Sequence, residues 1–130
     1  NVYQAGTLSG NPMAMAAGIA QLTECLKPNF YSDLEKKTEK FLTGIRDQVS
    51  GIKIFSIGSI FWLAFTEKEK IQSAEEIDAD SMNHFRKLYH ELFEKGIYFG
   101  PSGYEVGFVS EAHSEEDLNK TAKIISEALR

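Results

Sequence analysis

Two apolar runs, Ile52–Ile57 and Ile60–Phe65, are separated only by Gly58-Ser59. A two-residue link of this composition suits a tight turn, so the runs pair as an antiparallel hairpin. The second run, Ile60-Phe61-Trp62-Leu63-Ala64-Phe65, shows no polar–apolar alternation. That predicts a central strand covered on both faces. Phe55, Phe61, Trp62 and Phe65 read as a packing cluster rather than a platform for nucleic-acid bases.

Helical patterns surround this hairpin. Asn11 is placed to cap a helix and Pro12 to open it. From there to Leu26 the residues Met13, Met15, Ala16, Ile19, Ala20, Leu22 and Leu26 make a helix apolar on nearly every side, which calls for cover from beyond this chain. Lys27-Pro28-Asn29 breaks it. A second helix starts near Asn29 or Ser32, repeats Phe30, Leu34, Phe41, Leu42, Ile45 and Val49 at helical spacing, and ends at Ser50-Gly51. Thr66–Ala79 is polar and predicts an exposed, mobile loop. Asp80 or Ser81 then caps a helix with Met82, Phe85, Leu88, Tyr89, Leu92 and Phe93 on its buried stripe, closed by Lys95-Gly96. Ile97-Tyr98-Phe99 and Tyr104–Val109 read as short strands either side of the turn-rich Gly100-Pro101-Ser102-Gly103. Ser114-Glu115-Glu116-Asp117 resembles a capping box, and the last helix buries Leu118, Ala122, Ile125 and Leu129. The order helix, helix, strand, strand, helix, strand, strand, helix implies an α+β fold: a small, mainly antiparallel sheet with helices on one side.

Composition removes several functions. A formal net charge of −5 argues against a nucleic-acid partner, which needs a basic face. The single cysteine, Cys25, excludes an internal disulfide and reads as a buried, inert thiol. His84, His90 and His113 are scattered, and the acidic Glu75–Asp80 cluster lacks the glycine and spacing of a calcium loop, so no metal site is expected. No apolar run is long enough to span a bilayer and no signal peptide is visible, which makes the cytoplasm the default location and a membrane partner unexpected. Asn1-Val2-Tyr3-Gln4 reads like the middle of a longer chain.

Two stretches carry candidate chemistry. Ala5-Gly6-Thr7-Leu8-Ser9-Gly10-Asn11-Pro12 runs from a loop of glycines and hydroxyls into a helix start, where N–H donors and the positive end of the helix dipole suit a phosphate. The plainer reading is a capped helix start with glycines for the turn. Glu105 lies between an aromatic residue and a valine just past a glycine-rich loop; it is either a site carboxylate or an outward-facing strand residue.

Gly6–Pro12 with the following Met-Ala-Met-Ala-Ala-Gly, Gly58-Ser59-Ile60-Phe61, and Pro101–Phe108 with Ala112–Asp117 resemble, in this order and approximate spacing, segments of the class III, fold type I enzymes that use pyridoxal 5′-phosphate. Within them the likeness is to the aminomutases that convert glutamate 1-semialdehyde to 5-aminolevulinate, a tetrapyrrole precursor. The resemblance implies homodimers of chains much longer than this one, with residues 1–26 as a phosphate-loop-like segment and connecting helix toward a large domain, and 27–130 as the C-terminal α+β domain. It implies that Gly6 and Thr7 belong to a loop reaching the cofactor phosphate of the other subunit, and that Glu105 projects toward the cofactor. The lysine that binds the cofactor covalently would precede this chain, so the chain alone would be inactive. Tyr104 departs from the phenylalanine common there. Two alternatives stay open: the C-terminal domain of another class III aminotransferase, or a non-enzymatic interaction domain.

Overall fold

Helix α1 (Pro12–Cys25) begins where its cap dictates. Pro12 takes the first helical position, and Asn11 Oδ1 accepts the amides of Met13 at 3.0 Å and Ala14 at 3.1 Å. This is a computed structural model describing every residue except Asn1 and Gln4, so the reading of Asn1–Gln4 as mid-chain sequence falls partly outside the described residues. The chain divides into two units, Asn1–Tyr31 and Ser32–Arg130.

In the first unit α1 buries none of its residues, and Met13 is 83% exposed. Its order is local: Thr23 Oγ1 donates to the Ile19 carbonyl at 2.7 Å, and Leu26 N–H closes the end on Leu22 at 3.0 Å. Asn29, at φ +65°, turns the chain as the break at Lys27-Pro28-Asn29 predicts. Cys25 is half-buried rather than buried, because α1 has no core to put it in; Gln21 Nε2 lies 3.5 Å from its sulfur. Hydrogen bonding to this thiol holds the Tyr31 phenol above its ordinary pKa.

The second unit is built on packing. Helix α2 (Phe30–Arg46) contributes Leu34, Thr38, Phe41, Leu42 and Ile45 to the core. It stops short of the predicted Ser50-Gly51 because Gln48 folds back, its N–H on Ile45 O at 3.0 Å and its side chain on Gly44 O at 2.8 Å. Strands β1 (Lys53–Ile57) and β2 (Ile60–Ala64) form the expected hairpin, with Ile57 opposite Ile60 and Gly58 at φ +56°. Strand β3 (Gly107–Phe108) pairs antiparallel on the other edge of β2, Ile60 opposite Phe108, making β2 central. Its cover is uneven: Phe61 and Leu63 are buried while Ile60 and Trp62, on the opposite face, are half-buried. The aromatic cluster accordingly divides. Phe61 meets Phe41 at 5.6 Å, Trp62 stacks on Phe55 at 5.7 Å, and Phe65 stacks on His84.

The segment after β2 is not a bare loop. It holds a 3₁₀ turn at Ala74–Glu76, tied by Lys68 to the Glu76 carbonyl and by Glu76 Oε2 to the Gln72 amide at 2.9 Å. Helix α3 (Ser81–Glu94) buries Phe85, Leu88 and Leu92, while Phe93 stays exposed. Asp80 takes the N-cap position of α3, one of the two expected, but its side chain makes no cap hydrogen bond. Its carboxylate is occupied by Asn83 at 2.7 Å and His84 at 2.9 Å, which hold it below the ordinary aspartate range. Ile97–Phe99 is not the predicted strand: with Gly96 at φ +80°, Ile97 N–H closes the helix on Leu92 O at 2.9 Å instead of entering the sheet. Helix α4 (Glu115–Ala128) has the predicted capping box between Ser114 and Asp117, and buries Leu118, Ala122 and Ile125; Leu129 caps its end half-buried. Thr38 and Ser126, also buried, donate to their own helices at Leu34 O and Ala122 O, each at 2.8 Å, so neither is left unpaired. The α+β class with a small antiparallel sheet is thus what the chain adopts.

Candidate functional site

Gly6 and Thr7 share one exposed turn in the first unit. Ser9 N–H donates to Gly6 O at 3.0 Å, Asn11 N–H to Leu8 O at 3.1 Å, and Gly10 at φ +74° links this turn to the helix. The amides at the start of α1 are already used. Pro12 has none, Met13 and Ala14 donate to Asn11 Oδ1, and Met15 donates to Asn11 O at 2.9 Å. An anion at this junction would therefore be met by the turn before the helix, not by the helix end that the sequence singles out. Residues 1–26 contain no lysine or arginine, so the turn offers hydroxyl and amide donors without a countercharge.

Glu105 lies in the second unit, on a bend before β3 rather than within a strand. Its N–H donates to Ser102 O at 3.0 Å, and the Tyr104 amide lies 3.3 Å from Ser102 Oγ. The turn consumes donors that a strand over Tyr104–Val109 would have offered to β2. The carboxylate folds back over Gly100, where a Cβ would overlap it. Glu105 is exposed, and the hollow beside it, lined by Phe61, Phe85, Phe99 and Gly107, measures about 10 Å³. That is room for about one water, so nothing the size of a substrate enters it.

The glycines here serve close approach. Gly100, Gly103 and Gly107 all lie outside the positive-φ region, and Gly103 stands in the turn the sequence predicts. A Cβ on Gly103 would lie 2.8 Å from Met82 Cε and 2.9 Å from Phe85 Cγ, and one on Gly107 would enter the Phe61 ring. Trp62 fixes the loop from another direction, its indole N–H donating to Gly103 O at 2.7 Å. By its sequence pattern Trp62 belongs only to a packing cluster. The available signal was a lone indole donor on a strand predicted to be buried, where such a group requires an acceptor. Gly6 and Thr7 thus come together in one unit, and Glu105 stands in the other.

Among the described residues no three of His, Cys, Asp and Glu gather as metal ligands, and no helix is long and apolar enough to cross a membrane.

No protein-family model matches the chain. A glutamate-1-semialdehyde 2,1-aminomutase of Akkermansia muciniphila is 44% identical to it over 128 residues, covering 95% of this chain and 30% of the relative. The chain thus spans about 30% of the length of that curated relative. Among solved structures, a transaminase with PLP bound superposes with a TM-score of 0.73 at 24% identity, covering 98% of this chain and 29% of that one. An omega-transaminase from Sphaerobacter thermophilus gives 0.78 at 18% identity, over 98% and 30% of the two chains. A beta-phenylalanine aminotransferase from Variovorax paradoxus gives 0.74 at 23%, with the same coverage. Identities this low speak for the fold alone. The chain is similar over nearly all of its length to part of a glutamate-1-semialdehyde 2,1-aminomutase, and it has a fold that transaminases contain.

Proposed function

We propose that the protein carrying this chain isomerises glutamate 1-semialdehyde to 5-aminolevulinate by intramolecular amino transfer with pyridoxal 5′-phosphate, and that the chain is its C-terminal part. The observation that carries this reading is the 44% identity across 95% of the chain. The activity is assigned to the whole protein, a cytoplasmic homodimer supplying tetrapyrrole biosynthesis. In it, residues 1–26 are the phosphate-loop segment and connecting helix toward a large domain, and 27–130 the C-terminal domain. The lysine that binds the cofactor covalently belongs to that large domain, so this chain by itself is inactive.

The Gly6–Thr7 turn fits an auxiliary role at a phosphate. It is exposed, its hydroxyl and backbone can donate, and its lack of cations means the phosphate charge is balanced elsewhere. A loop lent to another subunit's cofactor supplies hydrogen bonds and shape, and that is what these residues offer. When bound, pyridoxal phosphate supplies an electron sink for proton and amino-group movement at adjacent substrate carbons. On this reading Glu105, a carboxylate on a loop fixed from behind, holds or moves a proton at the edge of such a site or helps retain the intermediate there.

The test is the whole protein incubated with glutamate 1-semialdehyde alone. Formation of 5-aminolevulinate without an added amino donor or keto acid is expected. Activity only when both are added would replace the reading with an aminotransferase. A folded protein inert toward every amine substrate would leave an interaction domain.

A further inference from the structure

We propose that Trp62 is the positioning residue for Glu105, holding through one hydrogen bond the loop on which that carboxylate stands. This rests on the reading of Glu105 given above. It adds a residue that the reading does not contain.

The loop carrying Glu105 runs from Gly100 to Gly107 and has no regular secondary structure before β3. A segment of this kind keeps one shape only if its backbone polar groups are tied to something rigid. The indole is rigid and is itself held. Trp62 stands opposite Phe55 in the β1–β2 register and stacks on it at 5.7 Å with 25° between the planes. Its Nε1–H reaches the Gly103 carbonyl at 2.7 Å, 41 residues away in sequence. Gly103 is buried, and its Cα lies against Met82 and Phe85 of α3 too closely for any side chain. The loop is thus gripped at one residue from two elements, by a hydrogen bond from β2 and by contact with α3.

Everything from that residue to Glu105 is determined locally. The Tyr104 amide meets the Ser102 hydroxyl, the Glu105 amide donates to the Ser102 carbonyl, and the carboxylate lies on Gly100. Ser102 precedes the gripped residue and Glu105 follows it by two, so a shift of Gly103 moves both ends of the Ser102–Glu105 bond. Trp62 touches none of the atoms that would react. It acts through the loop.

Trp62→Phe in the whole protein keeps an aromatic ring on Phe55 and removes the donor. Gly103→Ala keeps the indole and pushes the loop off Phe85, which gives an independent disturbance should the first variant fold poorly. Amide exchange at Tyr104 and Glu105 is expected to quicken about fivefold or more in either variant, while α2 and α4 keep their protection. Turnover should fall with KM little changed, and adding Glu105→Gln to Trp62→Phe should cost nothing further, because the two act as one unit. Unchanged exchange at Tyr104 and Glu105 in both variants overturns the proposal whatever Glu105 does. Losses that multiply in the double variant also overturn it, since Trp62 would then act independently of Glu105. Faster exchange together with normal turnover in Glu105→Gln supports the grip on the loop and removes instead the role assigned to Glu105.

Discussion

The Gly6–Asn11 turn and the Gly100–Gly107 loop look alike on paper: both are rich in glycine, both precede a regular element, and each holds a candidate site residue. They are held by different physics. The first is closed by hydrogen bonds that span a few residues, from Ser9 to Gly6 and from Met13 and Ala14 to Asn11. In the second, the decisive partners are far away in sequence: Trp62, Phe61, Met82 and Phe85. A locally held turn depends on its own few residues. A loop held by packing exists only while its domain is folded.

Substitutions separate the two cases by size. Gly107→Val drives a side chain into the Phe61 ring, which is 3% exposed and has nowhere to go. We expect a loss of about 3 kcal/mol in urea unfolding of the second unit. Gly6→Ala meets only the end of the exposed Ser9 side chain, and should cost well below the Gly107→Val loss. Equal losses at the two glycines would erase the distinction. Next, if Thr7 donates to the cofactor phosphate as proposed, Thr7→Ala in the whole protein should weaken pyridoxal-phosphate retention by about 2 kcal/mol, measured by cofactor release on dilution. Unchanged retention would take Thr7 out of the site.

Asn11→Ala should cost about 1 kcal/mol and be read locally, as faster amide exchange at Met13 and Ala14 with the second unit untouched. The smallest effect concerns the other cap. The Ser114 hydroxyl and amide hold the Asp117 carboxyl below its ordinary value. Its contribution to α4 is therefore complete above the usual aspartate pKa of about 4 and is lost as pH falls through its own, lower value. Circular dichroism should show α4 fraying in that acid window, and Asp117→Asn should abolish the pH dependence.

What could be read from the residues is chiefly what one unopposed neighbour decides. The hairpin, the Asn11 and Ser114 caps and the Gly96 helix end depend on neighbours in sequence, and all appear in the structure where the pattern placed them. The departures occur where a competing hydrogen bond, or the lack of cover, decides. Ile97–Phe99 has strand-like residues, yet Ile97 spends its amide on Leu92. Asp80 has a good capping residue's chemistry, yet Asn83 and His84 claim its carboxylate. Cys25 lies in an apolar pattern, but apolar pattern alone cannot supply the cover that would bury it. For the candidate site, Gly6, Thr7 and Glu105 could be named from the sequence. Trp62 could not be tied to the loop of Glu105, because nothing in the order of residues shows that its indole meets Gly103.

The sheet has a consequence for how the chain acquires its shape. Strands β1 and β2 close across two residues, whereas β3 finds β2 only after about 40 residues of intervening chain have been laid down. Contacts of such long range are slow to form. The hairpin can therefore stand early, while the pairing of Gly107 with Phe61, and with it the loop that bears Glu105, is completed last. In a refolding experiment the helical signal and the hairpin should return before the Trp62 indole finds its acceptor, so the slowest phase of the second unit reports on the assembly of its candidate site.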